Sequence, residues 1–301
     1  MQFVKKFFAI PNIKILDNYP ISKHTGYKIG GNCSYFIEVY TLNSLTHLLN
    51  LCNEYQIKYK FLGNGTNVLV SDGGFNGIVI SLKSFNKIFV NGNIVTAYSG
   101  ANLCAVINRA IKSKLCGGEA LCGIPATIGG AVIMNASAFG ISVGDLIQFV
   151  TVLENGALIT YPKAQCGFIY RASKFTNKNI PIISATFVFE RLIDGNSSCL
   201  ITDCAKVRKT LQPNGKSCGC IFKNPPNDYA GRLIDQSGLK GLKVGGAWVS
   251  EKHANFIMTD RSACSLDIYR LIQIIKQKVY GVFNILLEEE IEYWGEFNDS
   301  I

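Results

Sequence analysis

Two cysteines stand one residue apart in Lys216-Ser217-Cys218-Gly219-Cys220-Ile221-Phe222-Lys223-Asn224-Pro225. Such a pair can clip a metal, close a disulfide, fill a core, or free one thiol for acid–base work. C-x-x-C is absent, and Cys199, Cys204, Cys218 and Cys220 fit no common zinc-finger spacing. A Cys218–Cys220 disulfide would close a tiny strained ring. Two glycine-rich segments offer different chemistry. Gly63-Asn64-Gly65-Thr66-Asn67 follows an apolar run, but Val68 holds the third glycine position of a dinucleotide fingerprint and a β-rich run follows it. Its backbone N–H groups still suit an anion nest, with Asn64, Thr66 and Asn67 as side-chain donors; a plain hairpin turn is the alternative. Gly123-Ile124-Pro125-Ala126-Thr127-Ile128-Gly129-Gly130-Ala131 is tight and small, and runs on to Met134-Asn135-Ala136. Small residues there let a flat ring lie against main chain, where N–H groups can reach the pyrimidine edge of a flavin.

The elements that must position these segments are mixed. Leu45, Leu48, Leu49 and Cys52 recur at helical spacing after Thr41 or Asn43 as a cap. A short strand spans about 58–62, then Val68 to Val70, a turn at Asp72-Gly73-Gly74, and a strand over 77–82. Asn91-Gly92 and Asn155-Gly156 predict hairpins between 88–90 and 94–96 and between 147–152 and 157–161. A helix is expected through Leu103, Val106, Ile107 and Ala110, and a strand over 182–189. The pattern shifts around Asn196, which marks a boundary. A long amphipathic helix follows, capped by Ser265 and lined by Ile268, Leu271, Ile272, Ile275 and Val279. An acidic strand, Glu288 to Tyr293, closes the chain. The class is α+β in about three parts.

Composition narrows the function classes. The 301 residues are 48% hydrophobic and 17% charged, enough for two or three domains with cores. Eleven cysteines, an odd number, argue for reduced thiols rather than a disulfide framework. Lys5-Lys6 precede an apolar run of only Phe7 to Ile10, too short for a leader, and no stretch is long enough to span a bilayer. A cytoplasmic location is expected. The net charge of +9 suits a phosphorylated ligand, and no nucleic-acid motif is present.

Ile29-Gly30-Gly31, the two glycine-rich segments, Asn135-Ala136 and Tyr170-Arg171-Ala172-Ser173 together resemble the UDP-N-acetylmuramate dehydrogenase family, also called UDP-N-acetylenolpyruvoylglucosamine reductase. The resemblance continues through Gly219-Cys220-Ile221-Phe222-Lys223-Asn224-Pro225, Ala230-Gly231-Arg232-Leu233-Ile234, Gly238-Leu239-Lys240-Gly241 and Ser250-Glu251-Lys252-His253-Ala254-Asn255-Phe256. It covers about Ile21 to Gly295. The absence of an insertion between Asn224 and Glu290 matches the compact form.

This resemblance implies a two-subdomain FAD-binding module of the vanillyl-alcohol-oxidase (PCMH) type plus a C-terminal α+β substrate-binding domain. The expected divisions are 1–83 rejoined by 290–301, 84–196, and 197–289. It implies non-covalent FAD held by Gly63, Asn64, Gly65, Thr66, Asn67, Gly123, Ile124, Pro125, Thr127, Gly129, Gly130 and Asn135, and no metal. NADPH would be the reductant, and the enolpyruvyl ether of UDP-N-acetylglucosamine the substrate, bound in part by Tyr170, Lys223 and Asn224. The product is UDP-N-acetylmuramate, for peptidoglycan synthesis; the protein is expected to be a monomer without nucleic-acid or membrane partners. Hydride delivery from flavin N5 to the vinyl CH2 leaves negative charge beside the carboxylate. Donors must stabilise it and an acid must protonate the carbon on one face. Arg171 matches the enolate-stabilising arginine, and its guanidinium can pair both carboxylate oxygens. Glu290 aligns with the acidic partner, although Glu288-Glu289-Glu290 leaves the register open. The acid of the family is usually serine; here the position is Cys220, and a thiol is a stronger acid than an alkyl hydroxyl. Cys218 has no direct role, and His253 is expected to pack. Ala126 stands where many relatives have glycine.

Two rival readings remain. A sugar or alcohol oxidase on the same module often carries a His–flavin bond, and neither glycine-rich loop has a histidine. A non-enzymatic thiol or zinc sensor would instead use Cys199 to Cys220.

Overall fold

A computed structural model describes residues 6–192 and 197–297, with the side chains of 197–202 and 205 left aside. The boundary expected at Asn196 and the candidate thiol of Cys199 lie outside the described residues. In chain order the first half runs β1 (Ile13–Pro20), β2 (Asn32–Val39), α1 (Leu42–Glu54), β3 (Tyr59–Phe61), β4 (Val68–Val70), β5 (Phe75–Ser81), β6 (Ile88–Asn91), β7 (Ile94–Tyr98), α2 (Leu103–Lys112), β8 (Leu115–Cys116), α3 (Ile128–Ile133), β9 (Ser137–Ala138), β10 (Ile141–Ser142) and α4 (Val143–Leu146). The second half runs β11 (Ile147–Glu154), β12 (Ala157–Pro162), β13 (Ile182–Val188), β14 (Glu190–Arg191), α5 (Ser197–Leu211), α6 (Ala230–Gln236), β15 (Lys243–Val244), β16 (Ala247–Val249), β17 (Ile257–Thr259), α7 (Ser265–Phe283) and β18 (Glu292–Trp294). The chain divides into two units, one of residues 1–17, 35–64 and 77–208, the other of 18–34, 65–76 and 209–301.

The first unit holds an antiparallel sheet of order β12-β11-β13-β7-β6. Both Asn-Gly pairs sit in its hairpins, and Asn155 and Gly156 take positive φ of 50° and 78°, which an ordinary side chain resists. One stripe of α2, Leu103, Val106, Ile107 and Ala110, is buried with Val95, Ala97, Val150, Val152 and Phe187. The helix begins where Asn102 Oδ1 accepts the Cys104 N–H at 2.9 Å. A second core joins α1, through Leu45, Leu48, Leu49 and Cys52, to Ile37, Val39, Ile78 and Ile80. Thr41 caps α1, accepting the Ser44 N–H at 3.2 Å.

The second unit packs α6 and α7 with the antiparallel sheet β15-β16-β17. Ile268, Leu271, Ile272, Ile275 and Val279 of α7 are buried with Leu233, Ile234, Val249 and Leu287. Two sequence expectations change here. Cys264, not Ser265, is the residue before the helix: its N–H donates to Asp267 Oδ2 at 3.1 Å. Ser265 instead turns to Asp72, giving its N–H and hydroxyl to Asp72 Oδ2, each at 2.8 Å. The acidic run also does not form one strand. Around Glu289 it bridges Phe222, then it switches partners so that Glu292–Trp294 pairs in parallel with Val68–Val70. Among the described residues, no helix is long and apolar enough to cross a membrane.

Candidate active site

In the first unit Gly63 and Asn64, the start of the first glycine-rich segment, meet the second segment. Asn64 Nδ2 donates to the Pro125 carbonyl at 3.1 Å. A Cβ at Gly63 would stand 2.5 Å from Thr127 Oγ1, so only glycine permits this approach. Thr127 is the cap of the short helix α3, with Oγ1 accepting the Gly130 N–H at 3.5 Å. The segment is then pinned from behind: Leu103 N–H donates to Ala126 O at 3.0 Å, Ile128 N–H to Ala101 O at 2.9 Å, and Gly129 N–H to Ser99 O at 2.8 Å. A Cβ at Gly130 would meet only Thr127 Oγ1, at ordinary contact distance. Gly63, Gly129 and Gly130 keep side chains away from this part of the segment, which could therefore hold a planar ring system.

Asn135 is buried with φ of 42°, and both ends of its amide are committed: Nδ2 donates to Ile169 O at 2.9 Å, and Oδ1 accepts the Gly144 N–H at 2.8 Å. It therefore fastens α4 and the Tyr170-Arg171 turn to the glycine-rich segment. Ile169 and Ala172 pair backbone to backbone across that turn, and Arg171 at its tip has φ of 56°. A long side chain in the left-handed region costs on the order of 1–2 kcal/mol, so the surroundings hold it there. Ser173 supplies that hold, its hydroxyl donating to Ile133 O at 2.9 Å. Arg171 Nη1 reaches Ser137 Oγ at 3.1 Å, and the guanidinium lies 5.4 Å from the centre of the exposed Tyr170 ring.

In the second unit the Cys218-Gly219-Cys220 run separates its two thiols. Cys218 is buried, and its Sγ–H donates to Val68 O at 3.3 Å. Burial pushes this thiol up to about 12, although hydrogen bonds from nearby backbone oppose the shift. Gly219, at φ of 76°, turns the chain so that half-buried Cys220 bridges Phe256. Ile221 N–H donates to Asn255 O at 2.9 Å. Asn255 Oδ1 accepts the Phe222 N–H at 2.9 Å and Nδ2 donates to Phe222 O at 2.8 Å. The sequence reading left Asn255 without a role; its signal was an asparagine inside an apolar Ala254-Asn255-Phe256 run. His253 packs edge-on against Phe256, 4.9 Å between ring centres, and burial lowers its pKa.

The three glutamates go three ways. Glu288 pairs with Lys223, Glu289 Oε1 with Lys276 Nζ at 2.8 Å, and Glu290 N–H donates to Ile221 O at 2.7 Å. Asn67 Nδ2 donates to Glu290 O at 3.0 Å, so the end of the first glycine-rich segment also holds Glu290. Gly65, at φ of 64°, sits where a Cβ would be 2.2 Å from His24 O. Asn224 Oδ1 accepts the Ala230 N–H at 3.1 Å and starts α6, beside the exposed Tyr229. Lys240 pairs with Asp235, and Lys252 reaches a backbone carbonyl. Among the described residues no cluster of three or more metal-binding side chains occurs.

Comparison with known proteins identifies the family. Residues 33–160 match the FAD binding domain model, and residues 212–294 match that of the UDP-N-acetylenolpyruvoylglucosamine reductase C-terminal domain. The UDP-N-acetylenolpyruvoylglucosamine reductase of Clostridium novyi is 37% identical over 289 residues, 95% of this chain and 94% of that one. That of Caldicellulosiruptor bescii is 37% identical over 293 residues, 96% and 93% of the two chains. The crystal structure of UDP-N-acetylenolpyruvylglucosamine reductase from Thermus caldophilus superposes with a TM-score of 0.81 at 31% identity, covering 94% of this chain and 99% of that one. A glucose dehydrogenase, Phl p 4.0202, shares the fold over part of the chain, with a TM-score of 0.51 at 12% identity over 64% of this chain and 44% of that one. The fold is thus the expected PCMH-type FAD-binding module with a C-terminal α+β domain, and the chain belongs to the UDP-N-acetylenolpyruvoylglucosamine reductase family of FAD-dependent oxidoreductases.

Proposed function

We propose that the protein uses NADPH to reduce the enolpyruvyl ether of UDP-N-acetylglucosamine to the lactyl ether of UDP-N-acetylmuramate, a step of peptidoglycan precursor synthesis carried out in the cytoplasm by a monomer without nucleic-acid or membrane partners. FAD, when bound, would supply the two-electron carrier chemistry between the nicotinamide and the vinyl carbon. Gly63, Asn64, Gly123, Ile124, Pro125, Thr127, Gly129 and Gly130 hold it on the first unit, Asn135 shapes that cradle from behind, and Gly65, Thr66 and Asn67 complete the first loop. Arg171 pairs with the substrate carboxylate and stabilises the charge that develops next to it. Cys220 delivers its thiol proton to the α-carbon, and Glu290 assists the enolate. Lys223, Asn224 and Tyr170 receive the nucleotide; a diphosphate would take over the Lys223 ammonium from the exposed Glu288.

The observation that carries this reading is the join between Cys220-Ile221 and Glu290, where the Glu290 N–H donates to Ile221 O at 2.7 Å. It supports Glu290, rather than Glu288 or Glu289, as the acidic partner of the thiol. The pairing of Glu292–Trp294 with Val68–Val70 supports returning 290–301 to the 1–83 subdomain, with 84–196 and 197–289 as the other two divisions. The test is anaerobic. The purified yellow protein should bleach with NADPH and regain colour on addition of the enolpyruvyl nucleotide, giving a product two hydrogens heavier. A protein that bleaches but recovers only with oxygen would refute it.

A further inference from the structure

Outside the residues given roles above, two thiols stand together in the first unit. Cys104 is the second residue of α2, where Asn102 fixes its N–H, and Asn108 Nδ2 donates to its sulfur at 3.5 Å. Cys122 ends the turn of Glu119–Leu121, its N–H donating to Glu119 O at 3.0 Å. The two sulfurs are 2.6 Å apart, about 0.5 Å beyond a bonded pair. Eighteen residues apart in sequence, they are brought together because Leu103 and Asn102 pair with Ala126 and Thr127.

We propose that Cys104 and Cys122 are a modification site: a peroxide converts them reversibly to a disulfide, and the cross-link clamps the segment that holds the flavin. Their unequal exposure assigns the order of events. Cys104 is half-buried and Cys122 buried. Cys104, the more exposed of the two, is the sulfur that meets the oxidant, and burial first, then the neighbouring Cys104 thiol, raise the pKa of the Cys122 thiol. The Cys104 sulfur attacks one peroxide oxygen and the O–O bond breaks; the thiol proton goes to the departing oxygen, which leaves as water or an alcohol, and a sulfenic acid forms. The Cys122 sulfur then attacks the sulfenic sulfur. Its proton departs with the hydroxyl as water, and the S–S bond closes. Two thiols lose two electrons and the peroxide gains them. A dithiol reductant reverses the step by exchange.

The consequence follows from position. Cys122 leads straight into Gly123-Ile124-Pro125, and Pro125 and Ala126 are already tied by Asn64 and Leu103. A bond at Cys122 fastens the other end, so the segment opens less readily and FAD leaves more slowly.

The holoenzyme is titrated with hydrogen peroxide, its remaining thiols are alkylated, and it is digested without reduction. The expected result is a peptide joining Cys104 to Cys122, lost on treatment with dithiothreitol, formed while Cys220 in a parallel sample still alkylates. The temperature of flavin release, read by flavin fluorescence, should rise in the oxidised wild type and not in oxidised Cys104→Ser. Cys104 is half-buried, so this variant is used should Cys122→Ser fail to fold. Failure of the joined peptide to form, or its formation without a shift in flavin release, overturns the proposal.

Discussion

The side-chain amide of Asn255 takes the place of a β-strand partner for Phe222, accepting its N–H at 2.9 Å and donating to its carbonyl at 2.8 Å. Asn255 is 3% exposed and Phe222 1%. Water cannot replace these bonds, and the residue before Ile221 is the proposed acid, Cys220. Asn255→Leu leaves a buried N–H and C=O unmet, each worth about 1–3 kcal/mol. Urea unfolding should show a loss of about 2–5 kcal/mol. Asn255→Asp keeps the acceptor but sets a buried carboxylate oxygen against the Phe222 carbonyl, so at neutral pH it should lose at least as much. A loss under 0.5 kcal/mol for Asn255→Leu would mean the bracket carries no load.

Cys220→Ala tests the proton source. The variant should still be reduced by NADPH at the wild-type rate, while turnover of the enolpyruvyl nucleotide falls by about 10²–10⁴-fold, the usual worth of a general acid. Cys220→Ser restores an O–H at the same place and should recover part of that loss. In heavy water the wild type should place deuterium on the lactyl α-carbon. Full turnover by Cys220→Ala removes the thiol from the mechanism.

Arg171→Lys separates charge from shape. Lysine keeps the cation but loses the planar pair of N–H groups and the reach to Ser137. Because charge is stabilised in the transition state more than in the ground state, kcat should fall about 10²–10³-fold, with KM for NADPH unchanged. A fall confined to KM for the nucleotide would place Arg171 in ground-state binding instead.

The glycine-rich segments were legible as turns in the sequence because their signals are local, whereas the bond from Asn64 to Pro125, 61 residues on, was not. The hairpins at Asn91-Gly92 and Asn155-Gly156 read correctly for the same reason: tolerance of positive φ belongs to the residue type, and Gly92, Asn155 and Gly156 all adopt it. What stayed hidden depends on partners far along the chain. Three adjacent glutamates are identical as sequence, and only Lys223, Lys276 and Ile221 tell them apart. Asn255 gains its role from Phe222, 33 residues earlier. Ser265 looked like a helix cap by type, but Asp72, 193 residues away, claims its hydroxyl, and Asp267 closes the cap on Cys264 instead.

Cys218 gives the pH dependence of stability a defined window. Burial raises its folded-state pKa from 9.0 to about 12. A thiol whose pKa is higher in the folded state favours folding fully below the unfolded value. As pH rises past about 9 the unfolded chain ionises first, and stability falls by about 1.4 kcal/mol per pH unit for each such group until about 12 is reached. Cys52, also raised to about 12 by burial, adds a second decline of the same sign. Urea midpoints measured from pH 8 to 11 should therefore drop steadily in the wild type. Cys218→Ala, which has nothing to ionise, should be less stable at pH 8, because its buried volume is lost, yet its midpoint should fall less steeply above pH 9. Parallel slopes in the two proteins would mean that Cys218 is wet in solution and that its bond to Val68 O is not kept.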